Sequence, residues 1–336
     1  MMTEELSGNS CARAADGELK AAVLMGGVGE ERNISLQSGS CVAQALKDAG
    51  LNVAAADITP DDISILEADG IDVFFVALHG RFGEDGRLQQ LLEDRSLVYT
   101  GSGPEASRLA FDKWAAKQCF DEAGITTPPA IRFDPGAEPS ELQKRVVELG
   151  RRFVVKPRRQ GSTIGVSIVD DADAALATAR ECSSRFGDCM IEQYIPGREI
   201  TVGILHDQAL PIIEIRSKTG FYDYQAKYLD DRTEFLFDTI SDPILVAKIK
   251  EAALDCFNAV SCRHFARVDF ILDDRQRIHA LEVNTIPGFT SHSLLPRAAA
   301  RTGLSMSRLC MRIVELALEN RHCPASLVDQ TIESRK

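Results

Sequence analysis

Apolar residues near the start of the chain come in short continuous runs rather than in alternation. Ala21 to Met25 is one such run and stops at Gly26-Gly27, and LNVAAADI and IDVFFVALHG are two more. Strands that are apolar on both faces belong in a sheet covered on both sides, because a strand with one wet face alternates. Between the first two runs, SLQSGSCVAQALKDAG spaces its apolar side chains as a helix does and ends at Gly50, which predicts an amphipathic helix closed by a glycine. Strand, helix, strand in that order predicts a parallel sheet with helical crossovers. This first α/β unit is expected over residues 18–110, after a lead at residues 1–17 too poor in bulky apolar side chains to order itself.

Beyond it the pattern becomes mixed. DKWAAKQCFDEAG predicts a helix, TTPPA a connection, and RFVVKP and GVSIV two strands that flank the loop RRQGSTI. An Ala-rich helix over residues 171–185 and the strand MIEQYI complete a second unit, residues 111–198. A third, residues 199–320, contains the strands EITVGIL and ALPIIEIR, a polar loop from Tyr222 to Thr233 and a helix from Pro243 to Val260. The strands FARVDFIL and IHALEVN follow, then a closing helix from Ser305 to Leu318 and a loose tail at residues 321–336. The fold class expected is therefore α/β in three units, the first built on a parallel sheet.

Composition narrows the partners. Fifty Asp+Glu against 38 Lys+Arg give a net charge of −12, a surface that repels nucleic acid and anionic lipid. No stretch approaches the ~20 apolar residues of a membrane span, and MMTEELSGNSCARAADGELK lacks the apolar segment of a secretory signal. The nine cysteines are odd in number and include no C-x-x-C pair, which suits a reducing cytoplasm better than a disulfide framework or a zinc site. A soluble cytoplasmic protein is expected.

Two constellations carry chemistry. In RFVVKPRRQGSTIGVSIV, Lys156 ends a strand before a Gly- and Ser-rich loop whose backbone N–H groups can wrap a polyphosphate while the lysine supplies charge. A hairpin with a long turn is the plainer alternative. In RVDFILDDRQRIHALEVNTIPG, Arg267 and Asp269 lie two apart on one strand, and Glu282 and Asn284 two apart on the next. Residues two apart share a face, so a hairpin brings two carboxylates, a carboxamide and a guanidinium together. Oxygen ligands of that kind suit Mg²⁺, which is hard and usually keeps phosphate oxygens and waters.

With a lysine before a Gly/Ser loop and D…E-x-N about 110 residues on, the chain resembles the ATP-grasp enzymes. Four segments in order, VLMGGVGEERNISLQSG, ALHGRFGEDGRLQQLLE…YTGSG, FYDYQAKY and EVNTIPGFTSHSLLP, are similar to those of the D-alanine–D-alanine ligase family. The resemblance implies a three-domain ATP-grasp architecture that makes D-alanyl-D-alanine through an acyl phosphate, for peptidoglycan synthesis. It implies that Lys113 and Lys156 hold the ATP phosphates, with Ser162 and Thr163 in the loop folded over them. Glu192 and its strand would meet the adenine, with Gln193 standing where many members have lysine, and Glu199 would meet the ribose. Asp269, Glu282 and Asn284 would ligate two Mg²⁺ ions, replaceable by Mn²⁺.

On the amino-acid side the resemblance gives Glu31 the ammonium of the first D-alanine, in partnership with Ser162 and Tyr228. His79 would lie near that alanine's carboxylate, Arg267 and the backbone N–H of Gly288 would form an oxyanion hole, and Ser293 with the N–H of Leu294 would take the second carboxylate. Lys227 would touch the transferring phosphoryl group from a loop, Gly220 to Asp231, expected to close as a lid. A homodimer is implied as well. The nearest alternative is a D-alanine–D-lactate ligase of the same fold, against which Tyr228 stands; a silent nucleotide-binding module would be expected to have lost some of these residues.

Overall fold

The structure, a computed structural model, describes residues 19–217 and 233–320. Strand β1 (Lys20–Gly26) lies between β2 (Asn52–Ile58) and β3 (Val73–Val76) in a parallel sheet of order β2-β1-β3. Residues 21–24 and all of β3 are buried, as their unbroken apolar runs require. Helix α1 (Arg32–Asp48) covers one face. It begins one turn earlier than its apolar pattern suggests, with Glu31 at its N-cap. Two short helices follow, α2 (Arg87–Asp94) and α3 (Pro104–Phe111); the second starts on a proline, where the missing N–H costs nothing.

Helix α4 (Lys113–Glu122) leads into a four-stranded antiparallel sheet of order β4-β7-β5-β6: β4 (Ala130–Arg132), β5 (Phe153–Pro157), β6 (Ser167–Val169) and β7 (Cys189–Gln193). It packs on α5 (Pro139–Leu149) and α6 (Ala172–Phe186) through a core of its own around Phe153 and Val155. Strand β4 starts at the end of the connection TTPPA, where three residues after a proline pair are too few to show a period, and helix α5 adds a further element before β5. The larger sheet orders β11 (Thr233–Leu236), β10 (Ile213–Ser217), β8 (Gly197–Leu205), β12 (Phe265–Asp273) and β13 (Ile278–Asn284), with β9 (Gln208–Ala209) pairing β8. Helix α7 (Pro243–Ala259) backs it.

The chain then returns to its beginning. After α8 (Leu294–Arg301), the last helix α9 (Met306–Asn320) packs on α1 and β3. One apolar core therefore contains Val23, Val42 and Phe75 from the first sheet, Phe265 and Phe289 from the last unit, and Ile313 from α9. Phe289 meets Phe75 at 5.3 Å and Phe265 at 5.6 Å, edge to face in both cases. Such pairs add ~0.5–1.5 kcal/mol each beyond burial, enough to fix the loop after β13 against the first sheet. Among the described residues no helix is long and apolar enough to cross a membrane, and the seven cysteines there are free thiols.

Candidate active site

Strands β12 and β13 pair so that Arg267 faces Asn284 and Asp269 faces Glu282, and the register shifts just past Asp269. The four side chains predicted to share a face do share it. Arg267 grips Asp269 with two hydrogen bonds, 2.9 and 2.7 Å, and Thr201 Oγ1 donates to the same carboxylate at 2.5 Å. Glu282 takes Lys113 Nζ at 2.9 Å, while Asn284 Oδ1 accepts from the Ile286 N–H. Two carboxylates and a carboxamide make a hard, oxygen-only donor set, and a carboxylate oxygen held by a guanidinium keeps a second lone pair. Among the described residues no group of three or more His, Cys, Asp or Glu forms a closed metal cage. The face therefore fits a divalent ion that completes its shell with phosphate oxygens, as Mg²⁺ does, rather than one caged by protein alone.

This hairpin face separates two cavities that share Lys113, Gln160, Asp269 and Glu282. The larger, about 440 Å³, lies between the two antiparallel sheets and is lined by Lys156, Thr163, Glu192 and Glu199. Asp112 holds the start of α4 beside it. It caps α4 by accepting from the N–H groups of Trp114 and Ala115, and it also binds the side chains of Arg158 and Arg159. The start of α4 is thereby locked to the end of β5, and Lys113 Nζ reaches the Gln160 carbonyl at 2.8 Å. Burial works against the Lys113 ammonium, but Glu282 outweighs it and holds the pKa above its ordinary value. The lysine thus stays charged where a polyphosphate would need it.

Deeper in the same cavity, the carboxylate of Glu192 sits between Lys156 at 2.6 Å and Lys117 at 2.9 Å. The Lys117 contact is an ion pair in which Coulombic attraction is the larger favourable contribution. The side chain expected near adenine is thus engaged in holding two lysines. Over the cavity mouth, Ser162 and Thr163 take φ of +53° and +62°, a left-handed pair rare outside glycine and costing on the order of 1–3 kcal/mol each. Strain kept in a Gly161–Gly165 loop is a mark of function.

The smaller cavity, about 120 Å³, opens between the first sheet and the hairpin and is lined by Glu31, His79, Glu84, Ser162, Arg267, Gly288 and Ser293. Ser162 Oγ donates to Glu31 Oε1 at 2.5 Å across 131 residues of sequence. A methyl group at Gly161 would lie 2.8 Å from both oxygens of that carboxylate, so a larger residue there would displace the Glu31 carboxylate. Burial drives the His79 pKa down to about 4, with help from Arg267 and against a hydrogen bond to the Ile286 carbonyl, so the imidazole is neutral. Its Nε2 lies 3.0 Å from Ser38 Oγ. Ser293, the N-cap of α8, accepts from the Thr290 N–H, and a methyl group at Gly288 would come within 2.6 Å of its Oγ.

A sequence model described as D-ala D-ala ligase C-terminus matches residues 119–315, and one described as D-ala D-ala ligase N-terminus matches residues 63–102. The D-alanine–D-alanine ligase of Syntrophotalea carbinolica is 46% identical over 297 residues, 88% of this chain and 95% of the relative. That of Nitrosomonas europaea is 40% identical over 302 residues, 90% of this chain and 98% of the relative. The chain belongs to the D-alanine–D-alanine ligase family. A crystal structure of the Bacillus anthracis D-alanine–D-alanine ligase, complexed with ATP, superimposes with a TM-score of 0.80 at 33% identity, covering 91% of this chain and 99% of that one. The three-part ATP-grasp architecture expected from the sequence is the one found.

Within this family member, Glu31, His79, Lys113, Ser162, Arg267, Asp269, Glu282, Asn284, Gly288, Ser293 and Leu294 converge on the smaller cavity. Lys156, Thr163, Glu192 and Glu199 line the larger one. Lys227, Tyr228 and the expected lid from Gly220 to Asp231 lie outside the described residues, as do residues 1–18 and the tail at 321–336. Sequence reasoning missed Lys117, Glu84 and Ser38. Lys117 stands one turn after Lys113 on the same helix, a spacing that could have marked it. Glu84 sits within the quoted segment ALHGRFGEDG, and the Gly80 N–H donates to its Oε2 at 2.6 Å. Ser38 likewise sits within the quoted segment VLMGGVGEERNISLQSG, where nothing local sets it apart from its neighbours.

Proposed function

We propose that the protein joins two D-alanine molecules at the expense of ATP, as the named relatives do, through an acyl phosphate. The observation that carries the reading is the hairpin face of Arg267, Asp269, Glu282 and Asn284 at the junction of a nucleotide-sized cavity and a small polar one. A carboxylate becomes an acylating agent by phosphorylation, a transfer governed by charge neutralisation more than by covalent help. Lys113 and Lys156 supply that charge from the protein, while Ser162 and Thr163 cover the phosphates. Two divalent ions held by Asp269, Glu282 and Asn284, Mg²⁺ or Mn²⁺, would add Lewis-acid neutralisation of the phosphate oxygens. Glu192 holds the lysines and, with the end of its own strand, meets the adenine, while Glu199 receives the ribose.

Glu31, oriented by Ser162 and by Tyr228, receives the ammonium of the first D-alanine, and neutral His79 faces its carboxylate. Ser293 and the Leu294 N–H, at the start of α8, hold the carboxylate of the second, where a helix N-terminus favours an anion. When the second amine attacks the acyl phosphate, Arg267 and the Gly288 N–H donate to the developing oxyanion. Lys227 completes phosphate neutralisation from the Gly220–Asp231 loop, which excludes water from the acyl phosphate. The domain divisions at residues 18–110, 111–198 and 199–320 supply the three walls. The protein acts in the cytoplasm, as a C₂ homodimer and without nucleic-acid or membrane partners. The relatives do not favour the D-lactate alternative.

The test is phosphate release from ATP and Mg²⁺ with D-alanine, L-alanine, a D-alanine and D-lactate mixture, or no acceptor, with products identified by mass. Dipeptide formed from D-alanine alone is expected. Depsipeptide from the mixture, or no phosphate release from folded protein, refutes the reading.

A further inference from the structure

Helix α1 carries buried serines that do not behave as helix serines usually do. Ser40, on its exposed side, bonds back to the Leu36 carbonyl at 2.7 Å, the common fate of a mid-helix hydroxyl. Ser35 and Ser38 are fully buried and point their hydroxyls at other elements. Ser35 joins the two strand ends, accepting from the Gly26 N–H and donating to the Ala77 carbonyl. Ser38 reaches further. Phe289 N–H donates to its Oγ at 3.2 Å across 251 residues of sequence, and His79 Nε2 lies 3.0 Å away.

The direction of this short chain follows from its chemistry. An amide N–H can only donate, so it occupies an oxygen lone pair and leaves the single serine proton for another partner. The His79 imidazole is neutral and has an N–H on the Ile286 carbonyl. With that N–H on Nδ1, Nε2 is the nitrogen that accepts the Ser38 proton. One end of the chain is the histidine at the end of the first sheet. The other is the peptide after Gly288, in the loop that Phe289 anchors between Phe75 and Phe265.

We propose that Ser38 is a positioning residue for the ligation: its hydroxyl fixes the orientation and tautomer of His79 and ties the Gly288–Phe289 backbone to α1, keeping the first-substrate site and the oxyanion donor in register across two domains. The role rests on the ligase reading given above. It touches the nucleotide cavity nowhere, since Ser38 lines neither that cavity nor its lysines. Loss of the hydroxyl therefore separates amino-acid handling from ATP handling. It also removes the hydrogen-bond partner of an imidazole nitrogen and of a peptide N–H.

The experiment compares Ser38→Ala and Ser38→Cys with the wild-type protein at full length. It measures kcat, the KM values for D-alanine and ATP, the melting temperature and the nitrogen NMR signature of the His79 ring. In Ser38→Ala, kcat/KM for D-alanine is expected to fall about tenfold or more, the scale of one buried hydrogen bond plus lost alignment, with KM for ATP within about twofold. The ring nitrogens should lose the wild-type signature of an Nδ1–H tautomer. Ser38→Cys, close in volume and a weak donor, should fall between, and it carries the test if the alanine variant does not fold. Folded variants with wild-type kinetics, or with all parameters reduced only in step with the folded fraction, overturn the role. Wild-type protein that makes no dipeptide overturns the ligase reading instead, and this role with it.

Discussion

Glu192→Gln is a direct probe of the charge arrangement beneath the nucleotide cavity. The carboxylate is 2% exposed and is shared by two ammonium groups that are themselves almost fully buried, at 2.6 and 2.9 Å. Glutamine keeps the volume and removes the charge. At ~3 Å and an effective dielectric of ~20, each contact carries about 5–6 kcal/mol of attraction, most of it offset by taking the ions out of water. Breaking the arrangement leaves Lys117 and Lys156 uncompensated, for a net loss of ~3–5 kcal/mol. The midpoint of thermal unfolding should fall on the order of 10 °C at pH 7.

The pH dependence has a definite sign. Burial pushes the Glu192 carboxyl up, but Lys156 and Lys117 outweigh it and hold the pKa below the ordinary carboxylate value. A carboxyl depressed on folding stabilises above its unfolded pKa, and the contribution is lost as pH falls through the folded one. The gap between wild type and variant should therefore be wide at pH 7 and narrow in strong acid. Saturating ATP should also narrow it, because bound phosphates would replace the missing anion beside Lys156. Calorimetry at both pH values, with and without ATP, measures all of this. A variant melting within about 2 °C of wild type at pH 7 would refute the reasoning.

Arg267→Ala should lower turnover by ~10²–10³ if the guanidinium stabilises the oxyanion, and a loss below about tenfold in steady-state assays removes it from that role. Arg267→Lys keeps a cation beside Asp269, so it separates lost catalysis from a stranded carboxylate. Burial, and after it the charge of Glu31, pushes Glu84 up to about 8, so the folded protein holds a proton there that the unfolded chain releases at neutral pH. Stability should then decline as pH rises toward 8. Glu84→Gln mimics the protonated acid and should remove that decline while keeping turnover at pH 7 within roughly threefold; a hundredfold loss at pH 7 contradicts a neutral Glu84.

The sequence determined what local rules govern. Alternation along a strand put Arg267 with Asp269 and Glu282 with Asn284 on common faces, since side chains two apart must point the same way. Continuous apolar runs marked β1 and β3, because a strand covered on both sides lacks a polar face, whereas β2 at the sheet edge is mostly half-buried or exposed despite its apolar run. Four ordered segments identified the family. Short elements such as β4 escaped, since three residues cannot display a period. Helix α5 carries its start signals in the sequence, an acid at the N-cap before a proline.

The tertiary structure decided which side chains meet. The family resemblance anticipated that Ser162 partners Glu31, which no local pattern around either residue encodes, and nothing near Ser38 points to Phe289; that second contact joins the loop after β13 to α1, the helix on which the last helix packs. The same packing turned the Glu192 carboxylate toward Lys117 and Lys156 and, by burial, pushed the Glu84 carboxyl up. Periodicity is set by each residue and its neighbours along the chain. Burial, charge state and partnership across domains depend on how separate elements fill space together, which no local pattern encodes.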